Sequence, residues 1–226
     1  MDSIPVGGRT ATIDHPLRCA VFLSGSGSGM EALVQAQREQ NLLHQTVVVV
    51  ANASGIEGLE RAKRLGVPTL VVEQHHEGRP RSREEHEAEI LRQMADFDVE
   101  MVVLSGYMRL LSPLFLSEWA NRVVNIHPSF LPHFPGAHAH RDVLASQAAI
   151  TGCTVHLVDE GMDTGLILAQ RVVPVFMDDD EATLSARVKV EEHRLYPQVL
   201  TWMAEGRIHL TDDGVSVEGV EGHQAD

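Results

Sequence analysis

The run Thr46-Val47-Val48-Val49-Val50-Ala51 constrains the fold of this chain more than any other stretch. Uncharged and mostly β-branched, it favours a strand over a helix, and with no polar face it belongs at the centre of a sheet. Similar runs recur at Cys19-Ala20-Val21-Phe22-Leu23, Thr69-Leu70-Val71-Val72, Met101-Val102-Val103-Leu104 and Arg122-Val123-Val124-Asn125-Ile126. Helical patterns separate them. Met30, Leu33 and Val34 recur at helical spacing, residues 56–65 form a second pattern closed by Gly66, and the capping box Ser82-Arg83-Glu84-Glu85 opens a third that carries Ile90, Leu91 and Met94. This alternation predicts an α/β fold: a single-domain, mainly parallel twisted sheet with helices on both faces and right-handed crossovers.

The later part of the chain reads differently. Residues 151–158 and 166–175 are two β-rich runs with a short loop between them, which suits an antiparallel strand pair toward the C-terminal half. A long helix over residues 182–204 follows, with Leu184, Val188, Leu195, Val199 and Met203 on one stripe and an expected kink at Pro197. Residues 1–17 are polar, contain Gly and Pro, and lack an apolar signal-peptide core. They read as a disordered extension, residues 18–210 as the folded domain, and residues 211–226 as an acidic tail ending in a weak hairpin and disorder.

Net charge bounds the partners. At −14 over 226 residues the chain lacks the basic face that nucleic-acid binding needs, although a local pocket can still hold a small anion. No apolar window is long enough to span a membrane. Cys19 and Cys153, each in an apolar strand-like run, read as buried thiols, so a reduced, cytoplasmic setting is expected.

Two stretches carry chemistry. Leu23-Ser24-Gly25-Ser26-Gly27-Ser28-Gly29-Met30 joins the first strand to the first helix. Glycines allow a tight turn there, and the free N–H groups of the helix start form an anion nest. Met30 stands where a dinucleotide fingerprint has its third glycine, and Asn52 ends the second strand where a ribose-gripping carboxylate is required. The loop therefore suits a phosphate monoester better than NAD. The second stretch is Asn125-Ile126-His127-Pro128 at a strand end, with Asp163 in Gly161-Met162-Asp163-Thr164-Gly165. An amide, an imidazole and a carboxylate together steady an oxyanion and move a proton, as acyl transfer requires. His133, His138 and His140 lie nearby, but irregular backbone around Pro128, Pro132 and Pro135 and the absence of a recognisable ligand spacing argue against a metal site.

These stretches, with Ser129-Phe130-Leu131-Pro132, Pro135-Gly136, Ser105-Gly106-Tyr107-Met108-Arg109 and residues 187–197, occur in an order that closely resembles the folate-dependent formyltransferases, and among them the glycinamide ribonucleotide transformylase family. The resemblance spans roughly residues 18–207. It implies a Rossmann-like formyltransferase fold and two substrates, glycinamide ribonucleotide and 10-formyltetrahydrofolate, with no metal. It places the ribonucleotide phosphate on Gly27, Ser28 and Gly29, and a helix contact to the ribonucleotide on Lys189, Val190, Glu191 and Glu192, with Glu192 holding the substrate amine. The family often has Asn at the position of Gly29, and a cation at Lys189 can offset that change. The resemblance places the folate on Met108, Arg109, Leu110 and Leu111, on Arg83 at its glutamate tail, and on the loop Asp159, Glu160, Gly161, Met162 and Asp163, with Asn125 shared between folate and chemistry.

The implied mechanism gives Asn125 and His127 the oxyanion, with Asp163 raising the pKa of His127 so that the ring carries charge, and ordering a water that relays a proton. Two relatives offer other readings. A formyltetrahydrofolate hydrolase usually carries an extra N-terminal domain, and methionyl-tRNA formyltransferase an RNA-binding C-terminal one; neither extension is expected here. A non-catalytic nucleotide-binding module would explain the glycine loop but not the Asn/His/Asp set. The sequence does not choose between a monomer and a homodimer.

Overall fold

The computed structural model describes residues 6–76, 78–211 and 214–219. In chain order the elements are β1 (Leu17–Leu23), α1 (Ser28–Glu39), β2 (His44–Ala51), α2 (Glu57–Arg64), β3 (Thr69–Val71), β4 (His75–His76), β5 (Arg79–Pro80), α3 (Arg83–Met94), β6 (Met101–Leu104), α4 (Pro113–Glu118), β7 (Val123–His127), α5 (Ala139–Ala145), β8 (Ile150–Leu157), β9 (Ile167–Pro174), α6 (Glu181–Ala204), β10 (Ile208–Thr211) and β11 (Gly214–Val217). Seven strands form the main sheet in the order β3-β2-β1-β6-β7-β8-β9. The first five run parallel, and β8 and β9 are antiparallel to their neighbours.

Side-chain alternation explains the burial of both faces. Along β1, Cys19, Val21 and Leu23 face one core while Ala20 and Phe22 face the other; along β2, Val49 and Ala51 oppose Val48 and Val50. One face is covered by Met30, Leu33 and Val34 of α1 with Leu184, Val188, Leu195 and Val199 of α6. The other is covered by Ile90 and Met94 of α3 with Phe115 and Trp119 at α4. The capping box at Ser82 is formed: the Glu85 N–H donates to Ser82 Oγ, and the Ser82 N–H donates to Glu85 Oε2. α6 runs through Pro197, and both cysteines are buried and free.

The start of the chain differs from the expectation. Residues 6–17 are not a loose extension. Val6 and Ala11 are buried in the α1/α6 core, the Val6 N–H donates to the Ile208 carbonyl, and the Ala11 N–H donates to the Ala204 carbonyl. The Arg9 guanidinium forks onto Glu100 with two bonds of 2.5 and 2.7 Å. Isolated apolar residues in a polar stretch carry no periodicity, so their burial depends on a groove that only the folded sheet creates. At the other end, β10 and β11 form the expected hairpin, and Ile208 and Val217 are buried against the same core. Residues 1–5 and 220–226, which include the rest of both expected tails, lie outside the described residues.

Chain direction in the sheet locates the site. The strands after β1 build outward in one direction, whereas β6 and β7 lie on its other side. A crevice opens at such a switch point, outside the carboxyl ends of the strands. The loops following β1, β6 and β7 all end there.

Candidate active site

A cleft of about 550 Å³ occupies this switch point. The glycine loop forms one part of its wall. Gly27 caps α1 with φ 70°, and a Cβ there would lie 2.6 Å from Gly58 Cα, so α2 can approach only because both positions are glycine. No side chain caps α1. Its first-turn N–H groups have no intrahelical acceptor, and the helix dipole there favours an anion.

The chemistry-bearing residues meet at the end of β7. Asn125 and His127 are two apart on the strand and so share a face. Asp163 reaches them from the loop between β8 and β9. His127 Nδ1 lies 3.3 Å from Asp163 Oδ2, and Nε2 lies 2.9 Å from the Phe134 carbonyl. Asp163 holds a left-handed backbone with φ 55°, and its Oδ2 accepts a bond of 2.8 Å from the Gly136 N–H. The sequence reading missed one member, His156. It pairs with Asn125 in the β7–β8 register, its Nδ1–H donates to the Leu157 carbonyl at 2.9 Å, and its Nε2 accepts from Asn125 Nδ2 at 3.2 Å. At 3.7 Å, the His156 Nε2 to Asp163 Oδ1 approach is too long to compete with that bond. His156 thus fixes which way the Asn125 amide points. Only the antiparallel register reveals it; within the sequence it is a lone histidine in an apolar run.

Electrostatics correct one expectation. Burial pushes the pKa of His127 below its ordinary value, and the Phe134 carbonyl and Asp163 restore only part of the loss. The ring therefore rests neutral at neutral pH and is not a standing cation. Asp163 stays ionised: burial raises its pKa, but the hydrogen bonds and charges around it, the Gly136 N–H among them, hold it below the usual carboxylate range. A neutral imidazole between a carboxylate and a carbonyl has acceptors at both nitrogens and room for one more proton. Both ring nitrogens are so engaged, whereas the Asn125 amide has a second N–H beyond the one it gives His156.

The cleft also gathers Gly27, Ser28, Gly29, Lys189, Glu192, Met108, Arg109, Leu110, Leu111, Asp159, Gly161 and Met162. Glu192 is pushed up to about 7 by burial, with Lys189 opposing. Val190 is half exposed away from the cleft wall, Glu191 accepts a bond from Arg194, and Glu160 is exposed outside the lining. Arg83 lines a neighbouring cavity of about 350 Å³ with Arg81 and His75, which shares Met108, Arg109 and Leu110 with the main cleft. Tyr196, also missed, donates its buried hydroxyl to the Leu104 carbonyl at 2.8 Å and lies 3.0 Å from the Val124 carbonyl, tying α6 to the ends of β6 and β7. Among the described residues no three His, Cys, Asp or Glu side chains gather to hold a metal, and no helix is long and apolar enough to cross a membrane.

A doubly covered sheet with an amide, two imidazoles and a carboxylate at its switch point defines an α/β group-transfer enzyme. Residues 17–200 match the formyl transferase family. The chain is 36% identical over 205 residues to phosphoribosylglycinamide formyltransferase of Escherichia coli, covering 90% of this chain and 94% of that protein. It is 41% identical over 200 residues to the trifunctional purine biosynthetic protein adenosine-3 of Gallus gallus, covering 88% of this chain but only 20% of that larger protein. The crystal structure of glycinamide ribonucleotide transformylase 1 from Symbiobacterium toebii superposes with a TM-score of 0.84 at 37% identity, covering 89% and 94% of the two chains. The chain belongs to the phosphoribosylglycinamide formyltransferase family.

Proposed function

We propose that the chain transfers the formyl group of 10-formyltetrahydrofolate to the amine of glycinamide ribonucleotide, in purine biosynthesis. One observation supports this above the others: the Asn125/His127/Asp163/His156 cluster sits within one cleft, with an uncapped helix start on one part of its wall and Met108 to Leu111 on another. A phosphate suits the first and a flat apolar ring the second, which sets the formyl carbon and the amine against the cluster. Glu192, pushed up to about 7 by burial, holds the amine in its ionised form, and Lys189 supports the phosphate.

The amine nitrogen attacks the formyl carbon, and the carbonyl electron pair moves onto oxygen. The second N–H of Asn125 donates to this oxyanion, already aimed by His156. The proton lost by the amine passes through a water ordered by Asp163 toward the leaving folate nitrogen, and the C–N bond to folate breaks as that nitrogen is protonated. His127 carries that same proton in transit, as an imidazolium between Asp163 and the Phe134 carbonyl that balances the oxyanion until the proton reaches the folate nitrogen. Such a cluster is neutral overall only while charge is separated in the transition state, so its stabilisation is differential.

The experiment that tests this follows formyltetrahydrofolate consumption with and without glycinamide ribonucleotide. Consumption that depends on the ribonucleotide, without formate release, is expected. Formate release in the absence of the amine would instead make the chain a hydrolase.

A further inference from the structure

The loops that follow β1 and β6 are stitched together. The Ser24 N–H donates to the Gly106 carbonyl at 3.0 Å, the Met108 N–H donates to Ser24 Oγ at 2.9 Å, and the Ser105 N–H donates to the Phe22 carbonyl at 2.9 Å. The backbone of Ser105 is thereby fixed against the glycine loop, and only its single side-chain torsion remains free. In the observed rotamer Ser105 Oγ lies 2.5 Å from where a Cβ on Gly29 would stand. Real Cβ atoms do not approach that closely, so the hydroxyl occupies the volume that a side chain at position 29 would enter. Ser105 lines the large cleft beside Ser28 and Gly29. Its hydroxyl has no hydrogen-bond partner among the described residues. A hydroxyl carries one donor and two acceptor lone pairs, and this one, half-buried at the cleft wall, has all of them available to a ligand.

We propose that Ser105 is a binding residue for the anion at the glycine loop: its hydroxyl donates to a phosphate oxygen and takes the place of the side chain that Gly29 lacks. The identity of the phosphate-bearing ligand rests on the ribonucleotide reading above; the contact itself does not. Gly29 and Ser105 then form a matched pair. The backbone N–H groups of α1 approach the phosphate from the helix side, and the Ser105 hydroxyl approaches from the end of β6. A larger residue at position 29 is tolerated only when residue 105 gives up its hydroxyl.

The test uses the full chain and three variants, Ser105→Ala, Gly29→Asn and the double variant, with two readouts. The first is the KM for glycinamide ribonucleotide, and the second is the affinity for inorganic phosphate by calorimetry. Ser105→Ala is expected to weaken both by about tenfold, the size of one lost bond to a charged group, with the loss carried by KM rather than kcat. Gly29→Asn is expected to weaken both further, because its Cβ displaces Ser105. The double variant is expected to bind better than Gly29→Asn alone, since the amide enters the vacated space and supplies its own donor. Unchanged phosphate and ribonucleotide binding in Ser105→Ala overturns the proposal, as does a double variant no better than Gly29→Asn. A protein that transfers no formyl group, yet loses phosphate affinity with Ser105→Ala, overturns the functional reading and keeps this one.

Discussion

His127 presents Nδ1 to Asp163 Oδ2 at 3.3 Å and Nε2 to the Phe134 carbonyl at 2.9 Å, so a ring that rests neutral has an acceptor at each nitrogen. Removing the carboxylate removes the partner for the incoming charge. Asp163→Asn is expected to lower kcat by about 100-fold or more, the range seen when an electrostatic contributor to an oxyanion site is lost. Ribonucleotide affinity, measured by calorimetry, is expected to stay within about threefold, because the glycine loop is unaltered. Near-normal turnover in this variant would remove Asp163 from the chemistry.

His156 acts through Asn125. Its Nε2 accepts from the amide, so His156→Ala leaves Asn125 free to turn its oxygen toward the substrate. Turnover is expected to fall by about tenfold while both KM values move little, as for a lost positioning contact. His156→Gln, which restores an acceptor, is expected to recover much of the loss. Equal defects in the two variants would mean that the ring supports packing and not the amide.

If Glu192 holds the substrate amine as proposed, its titration sets the acid limb of substrate capture. Its carboxyl is pushed up to about 7, so it protonates just below neutrality and loses its attraction for the amine. The kcat/KM for the ribonucleotide is expected to fall below about pH 7, and Glu192→Gln is expected to be poor but flat across the same range. An acid limb of the same midpoint in the Gln variant would assign the titration to another group.

His44 links acid stability to the base of α6. Buried, its Nδ1 accepts from Gln37 Nε2 at 2.9 Å and its Nε2 faces the Pro197 carbonyl at 3.2 Å, a pattern that needs the neutral ring. Burial lowers its pKa from 6.5 to about 4, with the Pro197 bond opposing. The unfolded chain therefore binds this proton first as pH falls. The His44 contribution is intact above pH 6.5 and is progressively lost down to about pH 4, by up to about 3 kcal/mol. Urea unfolding of the wild type and His44→Gln between pH 7 and 4 measures it; parallel declines would show that other groups dominate.

The N-terminal segment contributes to stability. Val6 is 1% exposed, so Val6→Ala is expected to cost about 1–2 kcal/mol in denaturant unfolding. A change too small to detect would mean that residues 6–11 are dispensable to the core.

What the sequence makes legible is periodic. The β2 run, the Ser82 capping box and the short loop between β8 and β9 each carry a local signal, and each element forms where the pattern puts it. Asn125, His127 and Asp163 are visible because a polar set at a strand end beside Pro128 breaks an apolar pattern. His156 and Tyr196 are not, since their roles follow from strand register and from the contact of α6 with β6 and β7. The charge of His127 is also hidden: the sequence names its carboxylate neighbour, but the depth of burial that outweighs it exists only in the fold. Val6 and Ala11 fail to register for the same reason, because nothing local marks them as core.

The most direct measurement is a ¹⁵N NMR titration of the His127 ring in the wild type and in Asp163→Asn. A midpoint below the ordinary value of about 6.5 is expected in the wild type, and a lower one once the carboxylate is gone. A wild-type midpoint above about 7, or one that Asp163→Asn leaves unmoved, would contradict a resting neutral ring coupled to Asp163.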